Sequence, residues 1–442
     1  MIARQKALEV LLKIKQEKTY SSVAIDEALS ASEVSQKDKN LITEIVYGTL
    51  TNENLLEFWV EPFYQGRVKA WVRMLLLMTV YQMKFLDKIP DYAAIDDAVN
   101  IAKLRGGEFN ANVVNVILRK LSKLKSNRAL EEISDVIKRQ EVEFTHQAWM
   151  IRLWNAQFGE KASLKMLKSN NMRPPLTLRT NVTLTTTDEL MCKLAEDNVI
   201  VSRSNLLPDA LVVNSGNIFA SQAFVDGLFY VQDVASQIPA IALAPTENSV
   251  VLDVCAAPGG KTFQLASMVG ALGKVYAHDL YAHKIERLNE NKTRLQITNV
   301  EASVRDALKL DEIYEEETFD YILVDAPCSG LGILRRHPEA KLTKTPEELD
   351  SILYIQKNIL ESAAPLLKSG GRLVYSTCSV NLKENHKQVE LFLKNHDDFE
   401  IDLEFKERMD EKLAGNFKSG MLQLLPQDFD TDGFFVAALI KK

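Results

Sequence analysis

The segment VVLDVCAAPGGKT, at residues 250–262, decides the fold of the C-terminal half of this chain. It opens with an apolar run typical of a buried β-strand and continues into a turn that contains proline and glycine. Gly259 and Gly260 allow the backbone to come close to a ligand, and a helix predicted at 261–269 adds free amide groups at its N-terminus. This order of elements predicts the first unit of a parallel α/β sheet with a ligand at the carboxyl ends of its strands.

Alternating strands and helices continue from this segment to the end of the sequence. We predict strands at residues 250–255, 274–278, 300–304, 319–324, 371–376 and 433–440, and helices at 261–269, 282–296, 347–366 and 383–396. Near-continuous apolar strands that alternate with helices are typical of a doubly wound, Rossmann-like parallel sheet. The last strand follows a short apolar run at 421–425 without an intervening helix, which predicts an antiparallel hairpin at the sheet edge.

The residues before this sheet predict two further domains. Residues 1–140 place apolar side chains at helical spacing, as at Leu8, Leu11 and Leu12, and show no strand alternation, so we predict an all-α bundle. Residues 141–230 continue as a helical linker and then alternate short strands with a helix, which predicts a small α+β domain. Residues 231–442 form the predicted α/β domain.

Composition excludes several classes of protein. The chain has 442 residues, of which 46% are hydrophobic, and this indicates about three globular domains. It contains no apolar stretch long enough to span a bilayer and no signal-peptide pattern, so we expect a cytoplasmic protein without membrane contact. The net charge of −7 does not indicate nucleic-acid binding, but basic clusters at 103–128 and 335–344 raise that possibility against the alternative of solvated faces.

Two of the four cysteines follow predicted strands. Cys328 ends the motif Asp-Ala-Pro-Cys after strand 319–324, and Cys378 ends strand 371–376. No Cys-x-x-Cys pair is present, so we predict no metal site. Two buried structural cysteines are one interpretation. A pair at the ends of adjacent strands, with Asp325 beside one of them and Lys261 available to stabilise a thiolate, favours nucleophilic chemistry.

Acidic residues at the ends of the next strands indicate the kind of ligand. Asp279 lies about 20 residues past the glycine turn, where an acid can bind ribose hydroxyls, and Asp306 after the third strand can accept from an adenine amino group. The sequence lacks the Gly-x-Gly-x-x-Gly pattern, and Cys255 occupies the position where a Walker P-loop needs its first glycine. We therefore predict an adenosine-bearing ligand that is not a dinucleotide, with nucleotide hydrolysis as a remote alternative.

The combination of motifs resembles a known family. VLDVCAAPGGKT at 251–262, DAPCSGLG at 325–332, STCS at 376–379 and DGFF at 432–435 are similar to motifs of the Sun/Nol/Nop family of RNA cytosine-5 methyltransferases, and NANVVNVILR at 110–119 resembles the NusB-like RNA-binding domain. The resemblance covers nearly the whole chain. It implies a NusB-like helical domain at 1–140, a ferredoxin- or RRM-like domain within 141–230 and a methyltransferase domain at 231–442. It further implies S-adenosylmethionine as the cofactor and 16S rRNA, free or in an early assembly particle, as the substrate.

The resemblance also implies roles for individual residues. Cys378 would attack C6 of the target cytosine, Cys328 would help to remove the C5 proton and release the product, and Asp325 would hold the base edge, with Lys261 beside them. The residues alone leave open which cysteine is the nucleophile. The implied cofactor-binding residues are Cys255, Ala256, Ala257, Pro258, Gly259, Gly260, Lys261, Asp279, Asp306 and Asp325.

RNA contacts are predicted for both basic clusters. The residues concerned are Arg119, Lys120, Arg335, Arg336 and His337. The second cluster lacks the aromatic residue that often follows it in relatives, since the sequence there is Lys341-Leu342-Thr343. We expect a monomer. Two alternatives are methylation of a cytosine in transfer RNA and a non-catalytic RNA-binding factor for ribosome assembly or antitermination.

Overall fold

The computed structural model describes residues 1–30, 34–64, 68–124 and 129–442, and these fall into two compact units. The helical unit comprises Met1–Met172 and the segment Leu334–Lys344. The sheet unit comprises Arg173–Ile333 and Thr345–Lys442. Our domain boundaries after residues 140 and 230 stay predictions.

The helical unit is built on amphipathic helices, as the spacing of apolar residues predicts. Its N-terminal helices are α1 (Ile2–Glu17), α2 (Ser21–Ser30), α3 (Gln36–Thr51), α4 (Glu53–Val60), α5 (Ala70–Phe85), α6 (Asp91–Lys123), α7 (Val136–Phe144), α8 (Ala148–Phe158) and α9 (Glu160–Ser169). Leu8 and Leu11 of α1 pack in one core with Leu75 and Leu76 of α5. Helix α6 changes direction at Gly107, whose φ of 76° lies in the left-handed region that glycine adopts without strain.

The small domain of the sheet unit contains a four-stranded antiparallel sheet in the order β2-β3-β1-β4. Its elements are β1 (Thr177–Thr180), α10 (Thr187–Glu196), β2 (Ile200–Arg203), β3 (Ala210–Ser215), α11 (Gln222–Val225) and β4 (Phe229–Val231). A capping box between Thr186 and Glu189 begins α10. The Asn181 amide donates to the carbonyl of Leu295, at 3.0 Å, which ties this small domain to the larger sheet.

The large sheet runs in the order β11-β12-β13-β9-β8-β5-β6-β7, with β10 also paired to β13. Its strands are β5 (Val250–Asp253), β6 (Lys274–Asp279), β7 (Val300–Val304), β8 (Phe319–Asp325), β9 (Leu367–Thr377), β10 (Phe399–Ile401), β11 (Phe417–Lys418), β12 (Met421–Leu424) and β13 (Phe434–Lys441). The helices that follow the small domain are α12 (Ile238–Leu243), α13 (Gly260–Val269), α14 (Ala282–Arg294), α15 (Ala340–Thr343), α16 (Pro346–Ala363) and α17 (His386–Asn395), and α15 belongs to the helical unit.

The topology confirms a doubly wound sheet and places the predicted motifs at one edge. Strands β7, β6, β5, β8 and β9 run parallel to one another, and β13 is antiparallel to both β9 and β12. The predicted hairpin of β12 and β13 is present, although β11 and not this pair forms the outer strand. The strand order changes sides at β5, since β6 and β7 lie on one side of it and β8 and β9 on the other. Open α/β sheets bind ligands at such a switch point.

Candidate active site

The two cysteines that follow β8 and β9 lie side by side in the sheet unit. Asp325 at the end of β8 is in register with Ser376 on the neighbouring strand β9. This register brings the loops after the two strands together, so that the Sγ atoms of Cys328 and Cys378 are 3.3 Å apart. Both side chains are half-buried. The distance allows one sulfur to donate a hydrogen bond to the other, and it allows both to reach one bound ring.

Asp325 and Lys261 complete the polar side of this pocket. Lys261 Nζ lies 2.7 Å from Asp325 Oδ2, and the Ser376 hydroxyl donates to Asp325 Oδ1 at 2.7 Å. The Lys261 ammonium also lies over the ring of Phe434, 5.2 Å from its centroid. Burial would lower the pKa of Lys261, but the charge of Asp325 and the proximity of Cys378 and Asp253 outweigh burial and raise it. A fixed cation therefore stands beside Cys378.

The surroundings of Cys328 favour its protonated thiol form. Its hydrogen bond with Cys378 is the largest influence that raises its pKa well above the ordinary value, and burial and the charges of Cys378 and Glu384 act in the same direction. A thiol at Cys328 can donate to a thiolate at Cys378, and the reverse arrangement is disfavoured by the same contacts. The contacts of Cys328 therefore favour its thiol form.

The glycine turn before α13 is closely packed. Gly259 has a φ of +107°, and a β-carbon there would lie 2.4 Å from the Phe263 ring, so the turn requires glycine. Helix α13 begins directly after it at Gly260, and the first amide groups of a helix have no acceptor within the helix. Among residues 255–258 of the predicted cofactor site, Cys255 has a side chain that can titrate. Burial raises its pKa.

Buried acceptors beside this turn fit a ligand that brings hydrogen-bond donors. The hydroxyl of Thr262 donates to Asp253 Oδ2 at 2.7 Å, whereas Asp253 Oδ1 and Gln232 Oε1 are buried without a hydrogen-bond partner among the described residues. Burial raises the pKa of Asp253 to about 7. Unsatisfied buried acceptors are uncommon, and a bound molecule with ammonium or hydroxyl groups satisfies them.

Asp279 and Asp306 end the two strands next to the turn. Asp279 is buried at the end of β6, where its side chain accepts from the backbone N–H of Tyr281 at 3.2 Å and lies 3.4 Å from Lys284 Nζ. Asp306 follows β7, and its Oδ1 accepts from the N–H of Leu308 at 3.0 Å. Both residues therefore lie at the carboxyl edge of the sheet, as the predicted ribose and adenine contacts require, and their roles stay predictions.

The two basic clusters differ in their surroundings. Arg119 and Lys120 are exposed on α6, and Lys125 and Arg128 lie outside the described residues. In the second cluster Arg335 is only 4% exposed, and the ring of His337 packs edge-on against Tyr20 in the helical unit, with 5.2 Å between centroids. The predicted RNA contacts stay predictions, and Arg336 is the more accessible arginine of the second cluster.

Glu384, which lies next to the loops of both thiols, is a site residue that the sequence does not indicate. Its side chain is fully buried in the sheet unit and contacts Ser329 and Ser379, the residues that follow the two cysteines. In sequence it is one acid in the polar stretch NLKEN at 381–385, and such a stretch resembles a surface loop. Only the hydrogen bonds of the folded chain identify it as part of the site.

Two other kinds of feature are absent from the described residues. Within residues 1–30, 34–64, 68–124 and 129–442, His, Cys, Asp and Glu side chains form no group of three that could hold a metal ion. None of the helices in that part of the chain combines the length and the apolar character needed to cross a bilayer.

Family models match three consecutive parts of the chain. The model described as 16S rRNA methyltransferase RsmB/F matches residues 240–440, the NusB family matches residues 1–123, and the ferredoxin-like domain of RsmF/B-like methyltransferases matches residues 146–218. These matches confirm the predicted combination of a NusB-like bundle, a small ferredoxin-like domain and a methyltransferase domain.

Relatives of known sequence or structure extend over the same parts. The probable ribosomal RNA small subunit methyltransferase B of Bacillus subtilis (strain 168) is 39% identical, and the alignment covers 99% of this chain and 98% of that protein. The crystal structure of PH0851 superposes with a TM-score of 0.84 at 28% identity and covers 99% of this chain and 98% of its own. NSun6 from Pyrococcus horikoshii, solved with SFG, covers 66% of this chain and 97% of its own at 21% identity and a TM-score of 0.59, which shows a common fold.

Proposed function

This chain belongs to the 16S rRNA methyltransferase RsmB/F family, and on that premise we propose that it methylates C5 of one cytosine in 16S rRNA through a covalent bond between Cys378 and C6. One observation supports this chemistry above the others. It is the pair of sulfurs 3.3 Å apart at the ends of β8 and β9, with a lysine beside Cys378 and a raised pKa at Cys328.

The edge of the sheet around the glycine turn fits S-adenosylmethionine. Residues 255–261 would surround its methionine part, Asp279 would accept from the ribose hydroxyls and Asp306 would face the adenine. The acceptor atoms of Asp253 and Gln232 that lack partners in the described part of the chain match the donors of an amino acid ammonium group. When bound, this cofactor supplies an electrophilic methyl group on a sulfonium.

Cys378 makes the target carbon reactive. C5 of cytosine is a poor nucleophile, and a bond from a thiolate to C6 moves electron density to C5. Cys378 has the means to act as that thiolate, because the Lys261 ammonium and the Cys328 thiol both stabilise a negative charge on its sulfur. Asp325, held by Lys261 and Ser376, would accept hydrogen bonds from the base edge and orient the ring.

Cys328 completes the reaction by removing a proton. Once C5 has gained the methyl group, its hydrogen must leave as a proton. Cys328, after losing its own proton to solvent, takes that proton on sulfur. The electron pair of the C5–H bond re-forms the C5–C6 double bond, and the C6–S bond breaks to release Cys378 as a thiolate. A thiol with a raised pKa gives a stronger base when it is deprotonated, so the pKa of Cys328 suits this step.

The substrate base must leave its stack to reach these sulfurs. Unstacking costs a few kcal/mol, and a single-stranded or loop cytosine lowers this cost. Exposed Arg119 and Lys120, and Arg336 of the second cluster, would bind phosphates of the surrounding RNA. We place the reaction in the cytoplasm, on free 16S rRNA or an early assembly particle, with the protein acting as a monomer.

Mapping the methylated nucleotide tests the proposal. Bisulfite sequencing of ribosomal and transfer RNA from a deletion strain should show the loss of one 5-methylcytosine in 16S rRNA, restored by the wild-type gene and not by Cys378→Ala. Loss of a signal in transfer RNA would overturn the choice of substrate. A protein that fails to bind S-adenosylmethionine in calorimetry would instead be a non-catalytic RNA-binding factor.

A further inference from the structure

A single buried carboxylate joins the two loops that contain the thiols. Glu384 is fully buried, and Oε1 accepts from the hydroxyls of Ser329 at 2.6 Å and of Ser379 at 2.8 Å. Oε2 accepts from the backbone N–H of Ser329 at 2.8 Å and from Gln356 Nε2 at 3.3 Å. The two serine hydroxyls are themselves 3.0 Å apart. Ser329 directly follows Cys328, and Ser379 directly follows Cys378. Glu384 therefore binds the residue next to each cysteine.

The supporting contacts fix Glu384 from both sides. The Tyr375 hydroxyl on β9 donates to the Glu384 carbonyl at 2.7 Å. Gln356, on α16, also donates to the carbonyl of Pro327 at 3.0 Å, next to Cys328. On the other loop, Asn385 donates to the Ser379 carbonyl at 2.8 Å. The carboxylate therefore has little freedom to move, and the two loops share its position.

These contacts have a geometric consequence for the thiols. The strands β8 and β9 fix where each loop begins, but the side chains of Cys328 and Cys378 lie beyond the last paired residues, where the sheet no longer sets their separation. The backbone N–H of Gly332 in the first loop donates to the Cys378 carbonyl at 3.0 Å, and Glu384 adds a side-chain connection between the loops because it holds Ser329 and Ser379 at one point. We infer that Glu384 is a positioning residue that sets the distance between the two sulfurs, and this inference rests on the proposed function for its catalytic meaning.

A general structural role is the alternative, and it predicts different measurements. A buried polar network whose only task is stability would alter unfolding and leave the thiol pair unchanged in the protein that remains folded. A positioning residue would alter the geometry of the thiols in the folded protein. Glu384→Gln separates the two cases, since the amide keeps the volume but places a donor against at least one of the donors that now meet the carboxylate.

The first measurement does not depend on activity. The equilibrium between the Cys328–Cys378 dithiol and its disulfide is measured by mass spectrometry in buffers of reduced and oxidised glutathione, where oxidised glutathione is the oxidant and two molecules of reduced glutathione are released. Glu384→Gln should lower the equilibrium constant about tenfold, because the sulfurs meet less often. Glu390→Gln is the matched control, since Glu390 is an exposed residue on the neighbouring helix that pairs with Lys387.

The second measurement is turnover on RNA. Glu384→Gln should lower kcat about 100-fold, as expected for misplaced reacting groups, while the dissociation constant for S-adenosylmethionine remains that of the wild type. If Glu384→Gln fails to fold, Ser379→Ala and Ser329→Ala remove one hydroxyl each and should shift the disulfide equilibrium in the same direction.

The outcomes separate this inference from the proposed function. A wild-type disulfide equilibrium in folded Glu384→Gln, or in both serine variants, overturns the positioning role whatever happens to turnover. A shifted equilibrium in a protein whose wild type methylates no RNA would support the positioning role and reject the proposed function.

Discussion

Cys328 and Cys378 are the same side chain in two different electrostatic surroundings. Each follows a parallel strand at the switch-point edge of the sheet, and each is half-buried. The hydrogen bond to its partner, burial and nearby negative charge raise the pKa of Cys328. Cys378 instead lies close enough to Lys261 for its charge to help raise the pKa of that lysine. In the proposed reaction, the neighbours and not the residue type would decide which cysteine is the nucleophile and which carries the proton.

Removal of Cys378 should have the largest effect. Cys378→Ala removes the sulfur that the proposed reaction uses for covalent attack, so methylation should fall by at least about 10³-fold. The same variant should form no denaturation-resistant protein–RNA complex on a gel. Residual methylation near the wild-type rate would show that the other thiol attacks.

Removal of Cys328 should block the reaction at a later step, after methyl transfer. Cys328→Ala still permits attack and methyl transfer but lacks the base that takes the C5 proton, so the covalent complex should accumulate and turnover should fall about 10²- to 10⁴-fold. The measurement is a denaturing gel with labelled RNA, with the double variant Cys328→Ala/Cys378→Ala as the control that traps nothing. Trapping by Cys378→Ala and not by Cys328→Ala would mean that the two roles are exchanged.

The pH dependence should distinguish the two thiols in the intact protein. A pKa of Cys328 well above its ordinary value means that this group is a thiol at neutral pH and loses its proton only as the pH rises. Multiple turnover should therefore increase with pH from neutral to alkaline conditions, by at most about tenfold per pH unit. The measurement is kcat of the wild type across this pH range, compared with kcat of Cys328→Ala, which lacks the titrating group. A flat profile for wild-type turnover would remove Cys328 from the slow step.

The parts of the fold that could be predicted are those in which local pattern and burial agree. Strands β5, β6, β8 and the second half of β9 are largely buried, so their apolar runs are visible in the sequence. Strands β10 and β11 were missed because they have three and two residues and contain exposed positions, which gives no periodicity to detect. The proximity of the two thiols was predictable from topology, since adjacent parallel strands bring their carboxyl ends together.

Contacts that depend on tertiary burial could not be predicted. The basic run after Cys328 was interpreted as facing RNA, yet Arg335 and Lys341 are buried in the helical unit. Lys341 Nζ donates to the Thr51 carbonyl at 3.1 Å and to Asn171 at 2.7 Å, and burial lowers its pKa to about 7. Charged residues are usually solvated, so sequence pattern alone indicates the opposite environment. Glu384 could not be identified from the sequence for the same reason, because it is a charged residue that is buried in the fold.

Substitution of Lys261 should have the smallest effect, and it tests directly how the surroundings of the two thiols differ. Lys261→Gln removes the cation beside Cys378 and leaves Cys328 with its own neighbours, so the thiolate population at Cys378 should drop. Its rate of alkylation by iodoacetamide at neutral pH, followed peptide by peptide in the mass spectrometer, should fall about tenfold. Exposed Cys192 serves as the internal reference, and Lys274→Gln, which removes a surface lysine paired with Glu301, is the matched control. An unchanged rate at Cys378 would mean that Lys261 holds Asp325 in place without activating the sulfur, and the contrast between the two cysteines would then rest on the surroundings of Cys328 alone.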